Sequence, residues 1–99
     1  MSLTYSIHRK AYAELDEAIE WYTNKGGKKL ASRFFNAYQK TRDRILENPL
    51  QFEKIYQDCR RAVFNKFPFV IIYYPAETGI HILAIFHASK NPEDWKSRT

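Results

Sequence analysis

Five side chains near the ends of predicted strands, one histidine and four cations, are of the types that cleave RNA. They are Arg60, Arg61, Lys66, His87 and Lys90. An imidazole can carry a proton to or from a 2′-hydroxyl or a leaving oxygen, and cations can stabilise the extra charge of a phosphorane-like transition state. The same residues also fit a structural role, in which His87 hydrogen-bonds the backbone at a strand end and the cations line a solvated edge. The spacing alone leaves both interpretations open.

No nucleotide or metal fingerprint accompanies these five residues. Three glycines in the whole chain exclude a glycine-rich phosphate loop, and the three histidines lie far apart in sequence. The lone Cys59 cannot form an internal disulfide, has no zinc-type neighbours and is expected to be inert. We therefore expect neither a cofactor nor a metal ion. Period-two alternation predicts that His81 and His87 share one face of the last strand.

The first half of the chain predicts a short strand over residues 3–8 and then two antiparallel helices. Apolar residues recur at helical spacing from Ala11 to Tyr22, and Gly26-Gly27 ends this first helix. A second apolar stripe runs from Leu30 to Ile45, and Asn48-Pro49 stops it. The polar face of the second helix is expected to be solvated, and its cations are Lys29, Arg33, Lys40, Arg42 and Arg44.

The second half changes from helical to strand periodicity. Strands are predicted over residues 60–67, 69–74 and 80–87. The middle one, Phe69 to Tyr74, is apolar throughout, which is typical of a central strand covered on both faces. The tail is polar, and residues 91–94 resemble the first turn of a short helix. The sequence therefore predicts an α+β fold, a helical hairpin packed on an antiparallel meander, with Trp21 and Trp95 covering the margins of the core.

Length and charge limit the class of protein. A chain of 99 residues with 44% hydrophobic residues predicts one domain over residues 1–99, and its longest apolar run is too short to span a membrane. With no signal-peptide pattern at the N-terminus, we expect a soluble cytoplasmic protein. Residues 28–99 hold thirteen basic and seven acidic side chains, which favours an anionic partner such as nucleic acid or an acidic protein segment. A purely solubilising role for these cations is the alternative.

Several stretches together resemble the RelE/ParE toxin superfamily, most closely its ParE-like, plasmid-stabilisation branch. They are AYAELDEAIEWY, the helix stop ENP, RRAVFNKFPFVIIYY and the ending ILAIFHASKNPEDWKSR. The resemblance covers essentially the whole chain. It implies the toxin of a type II toxin–antitoxin pair, neutralised by a small, largely acidic antitoxin whose segment wraps it. The net charge of +5 fits such a partner.

The superfamily divides by target, and the resemblance implies a choice between two. RelE-like members cut ribosome-bound mRNA without a metal, usually with an arginine at the start of the central strand. Phe69 stands where that arginine would be, while His87 falls where some nucleolytic members place a catalytic histidine. ParE-like members poison DNA gyrase and lack the nuclease set. The sequence favours the ParE-like, non-nucleolytic reading.

Three alternatives stay open at this stage. The first is a RelE-like mRNA endonuclease that uses His87 with Arg60, Arg61, Lys66 and Lys90. The second is a degenerate member that has lost toxicity and survives as a binding module. The third, from a different class, is a free-standing nucleic-acid-binding domain, although no recognition motif accompanies the basic second helix.

Overall fold

The computed structural model describes residues 4–90 and 93–98. Residues 91 and 92 of the predicted C-terminal turn, and Leu3 of the predicted first strand, lie outside them. Along the chain the elements are β1 (Tyr5–Ile7), α1 (Arg9–Glu47), β2 (Glu53–Tyr56), β3 (Cys59–Val63), β4 (Phe69–Ala76), β5 (Gly79–His87) and a short 3-10 helix (Glu93–Arg98).

The helical region α1 is a hairpin of two arms. Its only non-helical residue is Gly27, with φ 78° and ψ −175°, a conformation that favours glycine. A straight helix of 39 residues would be about 58 Å long, whereas the longest dimension of the molecule is 39 Å. The rings of Tyr22 and Phe34 stack with their centroids 4.8 Å apart, which joins the first arm (residues 9–26) to the second (residues 28–47). The predicted hairpin is confirmed, as are the predicted end of the first helix at Gly26-Gly27 and that of the second at Asn48-Pro49.

The five strands form one sheet in the order β1-β5-β4-β3-β2. Strands β2 to β5 are an antiparallel meander, and β1 pairs parallel to β5 over residues 80–82. The predicted α+β fold and its three meander strands are confirmed. The first of these strands ends at Val63 and not at residue 67 as predicted, because the chain turns at Lys66, whose φ is 71°. The edge strand β2 was not predicted, because only one of its four side chains, Ile55, is even partly buried and no apolar alternation marks it.

Strand β4 is buried on both faces, as its unbroken apolar run predicts. Ile71 packs under the hairpin with Phe34, on the side called here the hairpin face. Ile72 points the other way, to the outer face, where Trp95 of the 3-10 helix covers it. The hairpin and the 3-10 helix therefore close the two sides of one strand. The expectation that Trp95 is a packing residue is confirmed.

A β-bulge in β5 overturns the prediction that His81 and His87 share a face. Tyr73 pairs with Ile82 and Ile72 with Ala84, so Leu83 is the extra residue. His81 stacks on Tyr74 on the outer face, whereas His87 contacts Phe69 on the hairpin face. Strict alternation fails here because one inserted residue reverses the face of every side chain beyond it.

Two further exposure expectations are wrong. The Arg42 side chain is only 19% exposed, because its guanidinium lies 5.4 Å from the ring of Tyr5 and 5.7 Å from that of Tyr38. Trp21, expected to cover the core, is 54% exposed. In both cases the helical position was predicted, but the direction of a long side chain at the margin depends on neighbours distant in sequence.

Removing core side chains tests this packing. Phe34 and Ile71 are fully buried on the hairpin face, so Phe34→Ala should lower the free energy of unfolding by about 3–5 kcal/mol and Ile71→Ala by about 2–5 kcal/mol. The matched control, Lys40→Ala on the exposed side of the second arm, should change it by less than about 0.5 kcal/mol. Urea denaturation measures all three, and a Phe34→Ala protein as stable as the parent would contradict the packing.

Two buried tyrosines, Tyr38 and Tyr73, should ionise at a higher pH than an exposed tyrosine does. Burial raises the pKa of Tyr73 to about 12 and that of Tyr38 to about 12, and the Tyr73 hydroxyl donates to the Pro49 carbonyl at 2.5 Å. Because the folded state keeps these protons longer than the unfolded chain, this contribution to stability is complete below pH 10 and is lost as pH rises towards 12. Ultraviolet titration should show that a fraction of the tyrosines ionises only as the pH approaches 12, and Tyr73→Phe and Tyr38→Phe should each reduce that fraction. Ionisation of every tyrosine in one step would contradict this.

Candidate functional site

A groove of about 880 Å³ runs between the first helical arm and the C-terminal end of β5. Tyr22, Phe69 and Ile85 supply apolar surface at its base, and Trp21 stands exposed beside them. The hairpin creates this groove because the first arm continues past the last residues of β5 before the chain turns back. His87 and Lys90, two of the five predicted site residues, line it.

His87 lies where β5 ends, half-buried against the Phe69 ring at a centroid distance of 5.4 Å. Its Nδ1 accepts the backbone N–H of Ser89 at 3.0 Å and lies 2.7 Å from the Ser89 hydroxyl. In the neutral ring the proton therefore sits on Nε2. The backbone hydrogen bond is the one expected of a structural strand-end histidine, and it leaves Nε2 as the nitrogen available for proton transfer.

The two predicted lysines lie at the same end of the sheet as His87. Lys90 closes a turn by donating its backbone N–H to the His87 carbonyl at 2.9 Å, and its side chain is exposed. Lys66 lies in the loop between β3 and β4, at φ 71°. The Pro68 carbonyl of that loop accepts the Ala88 N–H at 2.7 Å, which places the loop beside the end of β5. Lys66 itself does not line the groove.

The two predicted arginines do not join His87. Arg60 pairs with Tyr73 and His87 with Phe69, so their backbones are separated by about 13 Å along the strands and about 9.5 Å across them. The Arg60 guanidinium donates to the Phe52 carbonyl at 2.7 Å. Arg61 lies on the outer face and forms an ion pair with Glu53 at 2.6 Å. Neither arginine replaces the cation that Phe69 displaces from the start of β4.

Glu14 and Arg98, two residues that the sequence analysis did not single out, hydrogen-bond the free edge of β5. This edge lies beyond residues 80–82, which pair with β1. The Ile85 N–H donates to Glu14 Oε1 at 3.0 Å, and the Leu83 carbonyl accepts from Arg98 at 2.9 Å. The Arg98 side chain is 4% exposed and also pairs with Glu14 and Asp94, both at 2.9 Å. The hydrogen bond from Arg98 lowers the pKa of the Asp94 carboxyl. A signal existed in the sequence, since Glu14 begins the acidic run of the first helix, but nothing indicated its partner.

The charge of the groove is divided between its walls. Glu17 and Glu20 on the first arm are exposed, and neither forms an ion pair within residues 4–90 and 93–98. The opposite wall carries Lys90 and the imidazole of His87. A carboxylate wall repels phosphate and attracts cationic side chains. The groove therefore suits a protein segment better than an RNA backbone.

A second polar cluster lies on the outer face around His81. The two ring nitrogens lie 2.8 Å from the Ser6 hydroxyl and 3.0 Å from the Thr78 hydroxyl. Cys59 is buried nearby in the outer core, and burial raises the pKa of its thiol, as expected of an unreactive cysteine. Among the described residues, no three histidine, cysteine or carboxylate side chains are grouped as metal ligands, and no helix is both long and apolar enough to cross a bilayer.

Comparison with known proteins assigns the family. Residues 5–92 match the family described as the ParE toxin of type II toxin–antitoxin system, parDE. Among solved structures, the chain is similar to one of the chromosomal ParDE TA system from P. aeruginosa, with a TM-score of 0.75 and 19% identity over 86% of this chain and 95% of that one. At this identity the structural likeness shows the fold. No protein with curated annotation matches the chain significantly.

The matched region includes the whole hairpin and all five strands, and therefore the groove. A toxin of this kind has a cognate antitoxin as its partner. The chain belongs to the ParE toxin family and is a ParE-like toxin of a type II toxin–antitoxin system.

Proposed function

We propose that this toxin acts by binding DNA gyrase and does not cut RNA. The observation that carries the proposal is the surroundings of His87. The imidazole shares its groove with the carboxylates Glu17 and Glu20, and the two candidate arginines lie at a distance or in other contacts. A general acid with only the exposed Lys90 beside it and no arginine clamp, facing a wall that repels phosphate, is poorly suited to phosphoryl chemistry.

The groove has the features of a protein-binding surface. Trp21 is exposed at its margin, and the base beside it is apolar. Tryptophan is a frequent anchor in protein interfaces, because it buries a large area at a small cost in side-chain entropy. The carboxylates on the first arm favour an incoming segment that carries Lys or Arg. We infer that a basic segment of gyrase occupies this groove.

Expression in a bacterial host with two readouts tests the target. If the toxin acts on gyrase, the DNA-damage response should rise before the rate of translation falls. His87→Ala should leave most of the growth inhibition, because it removes only one side chain of the groove, whereas a general acid or base would lose about two to four powers of ten in cleavage rate. Cleavage of ribosome-bound mRNA by the purified parent protein, lost in His87→Ala, would overturn the proposal in favour of a RelE-like nuclease that uses His87 and Lys90.

A matched pair of aromatic variants in the same experiment tests the groove. Trp21→Ala should reduce gyrase binding by about tenfold or more, since buried tryptophan anchors dominate interfaces. Tyr12→Ala removes a 63% exposed ring from the same helical arm but outside the groove, and it should bind as the parent does. Both residues are exposed, so thermal unfolding should change little in either variant. Equal binding by the two variants would place the gyrase surface elsewhere.

The antitoxin partner gives a separate prediction. Expression of the toxin alone should slow growth, and co-expression of the adjacent reading frame should restore it, because a bound antitoxin covers the surface that reaches the target. The two proteins should then purify as one complex. Failure of every neighbouring frame to rescue growth would count against the pair. A folded protein that is harmless when expressed alone would indicate a degenerate member that retains only binding.

A further inference from the structure

Charge is divided between the two arms of the hairpin. The first arm (residues 9–26) carries four carboxylates and three cations, whereas the second arm (residues 28–47) carries six cations and two carboxylates. Within the described part of the chain, no ion pair joins one arm to the other. The opposite charges therefore do not neutralise each other, and each arm presents its own field to solvent.

Most cations of the second arm form a single exposed row, called here the basic stripe. Its members are spaced four, three, four and four residues apart, and they are Lys29, Arg33, Asn36, Lys40 and Arg44. At about 100° and 1.5 Å per residue, the row occupies one face of the helix and extends for about 22 Å. All five side chains are exposed.

Contacts place the basic stripe on the flank away from the first arm. Ser32 and Phe35 face Ile19 and Thr23 across the shallow cleft between the two arms; of the stripe, only the uncharged Asn36 also lines this cleft. On the other flank, the Arg44 guanidinium lies 5.2 Å from the ring of Phe52, just before β2. The stripe and the His87 groove therefore lie on different arms of the hairpin and share no residue.

The basic stripe has no apolar member. A protein segment that folds onto a partner needs apolar anchors to offset the entropy of ordering, and the His87 groove offers them while the stripe does not. A phosphate backbone is bound by charge alone. Single-stranded nucleic acid is usually held by stacking on aromatic side chains, and the stripe has none. A rigid row of four cations about 22 Å long can lie along the backbone of a duplex, in which each strand carries one charge per about 3.4 Å of helix axis.

We propose that the basic stripe of the second helical arm binds the phosphate backbone of duplex DNA without sequence specificity. The second arm begins directly after Gly27, so the positive end of its helix dipole adds to the charge of Lys28 and Lys29 at the same end. This goes beyond the proposed gyrase binding, because it assigns to the toxin a contact with the DNA itself, on a surface that shares no residue with the groove.

Fluorescence anisotropy with a labelled 24-base-pair duplex of arbitrary sequence tests the proposal on the purified full chain. Four phosphate contacts predict a slope of about −3.6 for log K against log salt concentration, which is a loss of affinity on the order of 100-fold between 50 and 200 mM salt. Arg33→Gln combined with Lys40→Gln should reduce the slope to about −1.8 and the loss to about tenfold.

The matched control is Lys10→Gln combined with Lys96→Gln, which removes the same net charge away from the stripe. Lys10 lies at the start of the first arm, and Lys96 is paired with Glu93 beside the outer face. This variant should keep the parent slope.

The proposal would be overturned by equal slopes in the two double variants, by no binding at low salt, or by tighter binding to a single-stranded RNA of the same length. Loss of antitoxin binding without loss of DNA binding in the stripe variant would also overturn it. The assay contains no gyrase, so its outcome is independent of the target.

Discussion

The rest of the structure depends on the burial of β4 on both of its faces. A strand that is apolar on both sides needs two covers, and this chain supplies them from opposite ends of its sequence. The aromatic cluster of the hairpin covers Ile71, and Trp95 covers Ile72. With β4 at the centre, β3 and β5 are fixed beside it, and β5 in turn fixes the position of His87 and the groove.

The charge of the hairpin gives one small domain two surfaces of opposite sign. Its first arm contributes carboxylates to the groove, and its second arm contributes the basic stripe. The net charge of +5 does not show this division, because it does not report where on the surface the charges lie. A partner that recognises the carboxylate wall of the groove and one that recognises the basic stripe would contact different residues. The local charges of the groove and of the basic stripe therefore say more about possible partners than the net charge does.

Periodicity predicted the fold well because both helices and the central strands bury continuous apolar faces. The hairpin, its stop at Asn48-Pro49 and the double burial of β4 all follow from local pattern. The candidate site was harder. The bulge at Leu83 places His81 and His87 on opposite faces, and no local signal marks an inserted residue. The separation of the arginines from His87 depends on sheet register, and the Glu14–Arg98 ion pair joins residues 84 positions apart.

The parallel pairing of β1 with β5 also has a consequence for the order of folding. Ser6 and His81 meet across 75 positions of sequence, whereas β4 and β5 meet at Ala76 and Gly79. Because closure entropy grows with the logarithm of loop length, bringing β1 to the sheet costs about 3 kcal/mol more than closing that turn. Contacts between residues close in sequence form first, because closing a short loop costs less entropy. We therefore expect β1 to dock after the meander has formed. Until it does, β5 is an unprotected edge, and a nascent or refolding chain exposes there the strand most able to pair with another copy.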